Sequence, residues 1–170
     1  YKENIEALTE KNKALGADVP KSLIFMHIPT GEYKTAFTEF SENGFKDTED
    51  VKYIDGFVGE TKGLIYCPLH DDNLFETALE LGSTQGFFCG HDHYNSLSLE
   101  YKGIRLSYDL SIDYLAYPGI SKEGSQRGCT VITVSPDGSF DMERVNYYKS
   151  GIGDENDITY QFDGVTYQYI

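Results

Sequence analysis

Gln85-Gly86-Phe87-Phe88-Cys89-Gly90-His91-Asp92-His93 is the stretch whose reading decides the fold. Residues 85–89 form a short apolar run with no polar alternation, which predicts a strand buried on both faces, in a parallel or mixed sheet. It delivers the chain to a glycine and to two histidines one residue apart. Upstream, Ser22-Leu23-Ile24-Phe25-Met26 has the same character and ends on His27-Ile28-Pro29. Open α/β sheets gather their ligand-binding loops at the carboxyl ends of strands. If these two strands are neighbours, the His27 and His91 imidazoles converge. His91 and His93 would project to one side of an extended segment, with Gly90 letting the backbone turn closely beneath them. Three imidazoles could then share a pocket, and neutral imidazole is a common ligand for zinc, iron and manganese.

Outward from this pair, residues 2–15 carry Ile5, Leu8 and Leu15 among charges, the pattern of a weakly amphipathic helix that Gly16 would end. A short helix is expected over 32–40. Residues 41–62 are rich in Gly and charge and read mostly as loop, long enough for a role at the site. Residues 63–67 read as a strand, and Asp71 or Asp72 can cap a helix running through Leu74, Phe75, Ala78 and Leu79 to Gly82. Downstream, strands are expected at 96–101, 104–108, 129–134 and 140–147, with turns at Lys102-Gly103 and Ser135-Pro136-Asp137-Gly138. The class is therefore α/β, a mixed strand-helix-strand section followed by a β meander. Residues 1–147 would form one domain part and 148–170 a Tyr-rich β or extended tail.

Composition bounds the function. The chain has 170 residues, 28 acidic against 14 basic, and a net charge of -14, so its average field repels nucleic-acid backbones and anionic lipid surfaces. That argument does not reach a small phosphorylated substrate, because bound metal ions would reverse the field locally. No apolar run approaches the ~20 residues of a membrane span. Cys67, Cys89 and Cys129 lack a C-x-x-C spacing and read as free thiols. Nothing in the composition assigns a compartment.

Three segments carry a family resemblance: Phe25-Met26-His27-Ile28-Pro29, Phe88-Cys89-Gly90-His91-Asp92-His93-Tyr94-Asn95 and Tyr101-Lys102-Gly103-Ile104. Over roughly residues 2–147 the chain resembles the later part of the calcineurin-like metallophosphoesterases, especially their purple-acid-phosphatase-like branch. The resemblance implies a two-sheet sandwich flanked by helices, here partial, around two divalent or trivalent metal ions of the iron, zinc or manganese class. It implies that His27 and His91 bind one metal and His93 the other. Asp92 would orient backbone or a neighbouring imidazole, and Asn95 and Tyr94 would either line a substrate cleft or pack. The substrate class implied is a phosphate ester, hydrolysed by metal-activated water.

The departures define an incomplete site. The family's Asp-x-His, its Gly-Asp with the bridging carboxylate, and its Gly-Asn-His do not occur before His27. One metal would keep two protein ligands and the other one, against the roughly four of a typical site. No catalytic residue can be named within these 170 residues. The expectation is a carboxy-terminal fragment, inactive alone, of a metal-dependent phosphoesterase whose amino-terminal half is missing; the opening at Tyr1 without Met suits a trimmed product. The alternative is a non-catalytic metal-binding or interaction module with relic histidines. His70 reads as a surface or helix-start residue, and Asp154, Glu155 and Asp157 as a solvated turn rather than a calcium loop. On the fragment expectation, intact-mass measurement of the cellular protein should return well above 19.2 kDa, and a mass of that value would count against it.

Overall fold

Two apolar runs that are far apart in sequence are neighbours in space. β1 (Ser22–Met26) lies parallel to β3 (Thr84–Cys89), with Ile24 opposite Phe87 and Met26 opposite Cys89. The computed structural model describes residues 1–60, 63–70, 73–112 and 128–146, with the backbone of 161–162 and 167–168. The remaining elements of the main sheet are β2 (Val51–Asp55), β4 (Ser98–Tyr101) and β5 (Ile104–Tyr108). The strand order is β1-β3-β5-β4-β2, with β3 and β5 parallel and the pairs β5-β4 and β4-β2 antiparallel. The chain is thus an α/β protein that has, among the described residues, a mixed five-stranded sheet, three helices and a separate two-stranded hairpin.

The helices are α1 (Lys2–Ala14), α2 (Gly31–Glu42) and α3 (Leu74–Leu81). α3 stops where Gly82 adopts φ +62° and its N–H returns to Ala78 and Leu79 carbonyls, the left-handed cap a glycine supplies without strain. One face of the sheet is covered by these helices: Ile24, Met26, Phe87, Cys89, Leu106 and Tyr108 share a core with Tyr33, Ala36 and Phe40 of α2 and with Phe75 and Ala78 of α3. The other face receives the hairpin of β6 (Gly128–Val134) and β7 (Phe140–Asn146). Period-two alternation in β7 turns Phe140, Met142 and Arg144 toward the sheet. The Phe140 ring meets Phe88 edge-on at 5.7 Å, Met142 Sδ accepts from Ser107 Oγ, and Arg144 donates to Ser107 Oγ and Tyr108 O.

One sequence expectation is refined and three are corrected. The described residues of 41–62 are mostly loop, but β2 lies within them; three of its residues face water, so its hydrophobic signal is diluted and pairing with β4 decides its state. Residues 63–67 are not a strand. Their backbone is committed to side chains instead, with Tyr66 N donating to Asp92 Oδ2 and Leu64 O accepting from Asn95 Nδ2. β1 is not buried on both faces: it is an edge strand among the described residues, and Phe25 is 63% exposed. The strands after β3 do not form one meander, since β4 and β5 enter the main sheet while β6 and β7 pair apart from it.

The expected cap at Asp71 or Asp72 lies outside the described residues, as do most of the loop 109–127 and the acidic turn at 154–157. Of the 148–170 tail, β8 (Gln161–Phe162) and β9 (Tyr167–Gln168) pair antiparallel.

One phenol fastens helix to sheet. Tyr33, 2% exposed, donates its hydroxyl to Phe87 O at 2.8 Å and accepts from Ser107 N at 3.2 Å, so it lies between the backbones of β3 and β5. Burial pushes its ionisation far above the ordinary phenol range, with Cys89 adding to the effect. Tyr33→Phe keeps the ring and leaves two buried backbone groups short of a partner, which should lower unfolding free energy by about 1–3 kcal/mol in urea titration.

Candidate functional site

The carboxyl ends of β1, β3 and β5 lie side by side. Gly90 N donates to His27 O at 3.2 Å, and Asp109 N donates to Cys89 O at 2.8 Å, so the ladder runs on past each strand. This continuation sets His27 against His91, whose rings meet edge-on with centroids 5.2 Å apart. His27 is exposed and His91 half-buried. Parallel pairing therefore brings these two sequence-selected histidines together.

The local geometry differs from the extended segment read in the sequence. His91 has φ +71°, and Asp92 N donates to Gly90 O at 2.8 Å, closing a three-residue turn around the His91 Cα. A γ-turn with positive φ is rare and strained for a residue with a side chain. The close turn thus falls on His91 rather than on Gly90, where a Cβ would only touch His27 Nδ1 at 3.9 Å. His93 Nδ1 lies 3.5 Å from Ser111 Oγ. Among the described residues, no group of three His, Cys, Asp or Glu side chains is placed to hold a metal ion. Two adjacent imidazoles alone do not fit a metal centre, which takes about four donors.

Asp92 and Asn95 are buried, at 3% and 1% exposure, and their polar atoms are committed internally. Asp92 Oδ2 accepts from Tyr108 Oη at 2.6 Å, from Tyr66 N at 3.1 Å and from Asn95 Nδ2 at 3.1 Å. Burial raises the Tyr108 ionisation, with Cys89 and the adjacent Asp92 carboxylate adding to it, so the phenol remains a proton donor. Asn95 Oδ1 accepts from Gly59 N and Glu60 N. Through these bonds both residues brace the histidine turn.

Sequence reading missed a partner in this brace. Glu60, 5% exposed, accepts from Tyr94 N at 3.3 Å. The legible signal was the glycine pair beside it. A Cβ at Gly56 would stand 1.9 Å from Ser96 O, and one at Gly59 2.2 Å from Tyr94 O, so both positions require glycine for close backbone approach. Residues 56–60 are thereby clasped to the segment that follows His91.

Beside His27 lies a shallow cleft of about 210 Å³ lined by Met26, Ile28, Pro29, Thr30, Gly31, Pro68, His70 and Leu74. It opens on the amino terminus of α2, where Thr30 makes no side-chain capping bond and its Oγ1 is buried without a partner among the described residues. His70, read as a surface residue, stands on the rim. Asp109, following β5, has an Oδ1 likewise buried and unpartnered; burial raises its carboxyl above the ordinary range, opposed by Thr130 and Arg144.

Comparison of the chain with family models, with curated proteins and with solved structures returns no match. The strain at His91 has a measurable signature. Both His91→Gly and His91→Ala remove the imidazole, but only glycine adopts φ +71° freely. The glycine variant should be the more stable of the two by about 1 kcal/mol in chemical denaturation, and equal stabilities would mean that the turn is not strained.

Proposed function

We propose that residues 1–147 are the carboxy-terminal part of a dinuclear-metal phosphoesterase, contributing His27, His91 and His93 to a centre whose remaining ligands lie outside these 170 residues. The reading is carried by the edge-to-face contact of His27 and His91 at the ends of adjacent parallel strands. A strained backbone at His91 supports it, since such strain gathers at functional sites. Two metal ions would supply the activated water in the completed centre.

The chain's own residues have narrower tasks. His27 and His91 present neighbouring imidazoles, and the Asp92 carboxylate, with Asn95, fixes the turn that carries His91. The cleft at the start of α2 suits a phosphate group, because unpaired N–H groups and the helix dipole favour an anion there. The outer side of β1, apolar and without a charged residue, is where strands bearing the missing ligands would add. The two-imidazole donor set favours a second reading, an interaction module with relic histidines.

Metal analysis and ester hydrolysis separate the two. The 170-residue chain should retain no stoichiometric tight ion and should not hydrolyse p-nitrophenyl phosphate or bis(p-nitrophenyl) phosphate. The polypeptide that includes whatever its gene encodes ahead of Tyr1 should bind two ions and hydrolyse at least one ester. In that protein Asp92→Ala should lower activity roughly 10–100-fold and His91→Ala at least as much. An extended polypeptide that binds no metal and hydrolyses neither ester, or that keeps full activity as His91→Ala, would sink the enzyme reading.

A further inference from the structure

We propose that the aromatic groove along α2 is a docking site for a segment of a partner polypeptide carrying apolar anchors flanked by basic residues. This inference does not rest on the phosphoesterase reading, since none of the groove's lining residues is one of the histidines. A cleft of about 520 Å³ opens between α2, the chain after it and β2, with Phe40, Phe45, Tyr53 and Phe57 among its walls. Phe45 is 64% exposed, Tyr53 and Phe57 46% each. Large aromatic side chains grouped in one exposed concavity mark an interaction site rather than ordinary surface.

The rings are held in place. Phe40 stacks on Tyr53 at 5.4 Å with 2° between planes, and meets Phe45 edge-on at 5.7 Å. Phe45 has φ +58°, a conformation that is a genuine outlier for a bulky side chain, and it follows Gly44 at φ +70°. The Phe45 N–H returns to Phe40 O, and Asn43 Nδ2 donates to Lys46 O and Asp47 O, so the loop holds the ring out against water. The Tyr53 hydroxyl already donates to Gly56 O, which leaves an apolar group as the fitting occupant of this cleft.

Shape and charge choose the occupant. A second cleft of about 360 Å³ shares Phe37, Phe45 and Gly63 with the first and continues along α2 to Lys34. The combined groove suits an elongated chain rather than a single small ring. From Lys34 on α2 to Lys52 on β2, the stretch that carries Phe40 and Phe45 holds Glu39, Glu42, Asp47, Glu49 and Asp50 against Lys34, Lys46 and Lys52. This net acidic surrounding, in a chain of net charge -14, favours basic residues beside the anchors. With a net charge of -14 on each molecule, a second copy of the chain is the disfavoured occupant.

The test uses the 170-residue protein and two fluorescein-labelled amphipathic helical peptides, one of Leu and Lys, the other with Glu in place of every Lys. In fluorescence anisotropy the Leu/Lys peptide should bind and weaken as salt rises, and the Leu/Glu peptide should bind at least tenfold more weakly. Phe45→Ser and Phe57→Ser, on different parts of the wall, should each lower Leu/Lys affinity roughly tenfold or more, with circular dichroism showing both folded. The proposal is overturned if the Leu/Lys peptide does not bind, if the two peptides bind alike, or if both folded variants bind as the parent does. Sedimentation as a dimer that Phe45→Ser dissociates would overturn it in favour of a second copy.

Discussion

A carboxylate 3% exposed to water, reached by no salt bridge among the described residues, governs the geometry at the strand ends. Asp92 is tolerable there because Oδ2 collects a phenol, a backbone N–H and a side-chain amide. Hydrogen bonds to a charged acceptor are stronger than neutral ones, and each of these comes from a different part of the chain. Tyr108 belongs to β5, Tyr66 to the loop before α3, and Asn95 to the turn itself. One side chain thus locks the histidine turn to a neighbouring strand and to the loop that crosses beneath it. The positive φ at His91 persists because this surrounding network over-determines it.

Much of the architecture was legible where hydrophobicity and backbone preference agree. β1 and the carboxyl half of β3 are short apolar runs, β5 alternates apolar with polar residues, and each is a strand; the Gly82 stop and the Ser135–Gly138 turn follow from residues that suit them. What the sequence hid was decided by partners distant in the chain. β2 exists because β4 offers an edge, which no local pattern in Val51–Asp55 announces. Residues 63–67 look like a strand until Asp92 and Asn95 take their backbone groups. At the site, strand ends allowed His27 and His91 to meet on condition that the two strands are neighbours, which the parallel pairing of β1 with β3 satisfies. The positive φ at His91 was illegible, because no residue pattern announces a left-handed conformation at a histidine.

The two faces of the sheet are built on different physics. Beneath the helices, the core is apolar and aromatic, with Phe75 stacked on Tyr101 at 5.5 Å and tilted against Phe87 at 5.7 Å. Under the hairpin, Phe140 supplies apolar contact at one end, while Arg144 works through hydrogen bonds at the other. Its guanidinium reaches Asp55 of β2 as well as Ser107 and Tyr108 of β5, so it spans three strands from above. Arg suits this task because its planar fork presents several donors in fixed directions. The hairpin is oriented as well as buried.

The long separation between β1 and β3 imposes an order on folding. The β6-β7 hairpin and the β4-β5 pair close across short turns, and such contacts form in microseconds. The central pairing of Ser22–Met26 with Thr84–Cys89 must first close a loop containing α2, β2 and α3. Loop-closure entropy is lost before those contacts return any free energy, so parallel pairing is the slow step. Until it occurs, Phe87 and Phe88 lack the strand beside them, and His27 lies far from His91. The histidine pair is therefore among the last features of the molecule to exist.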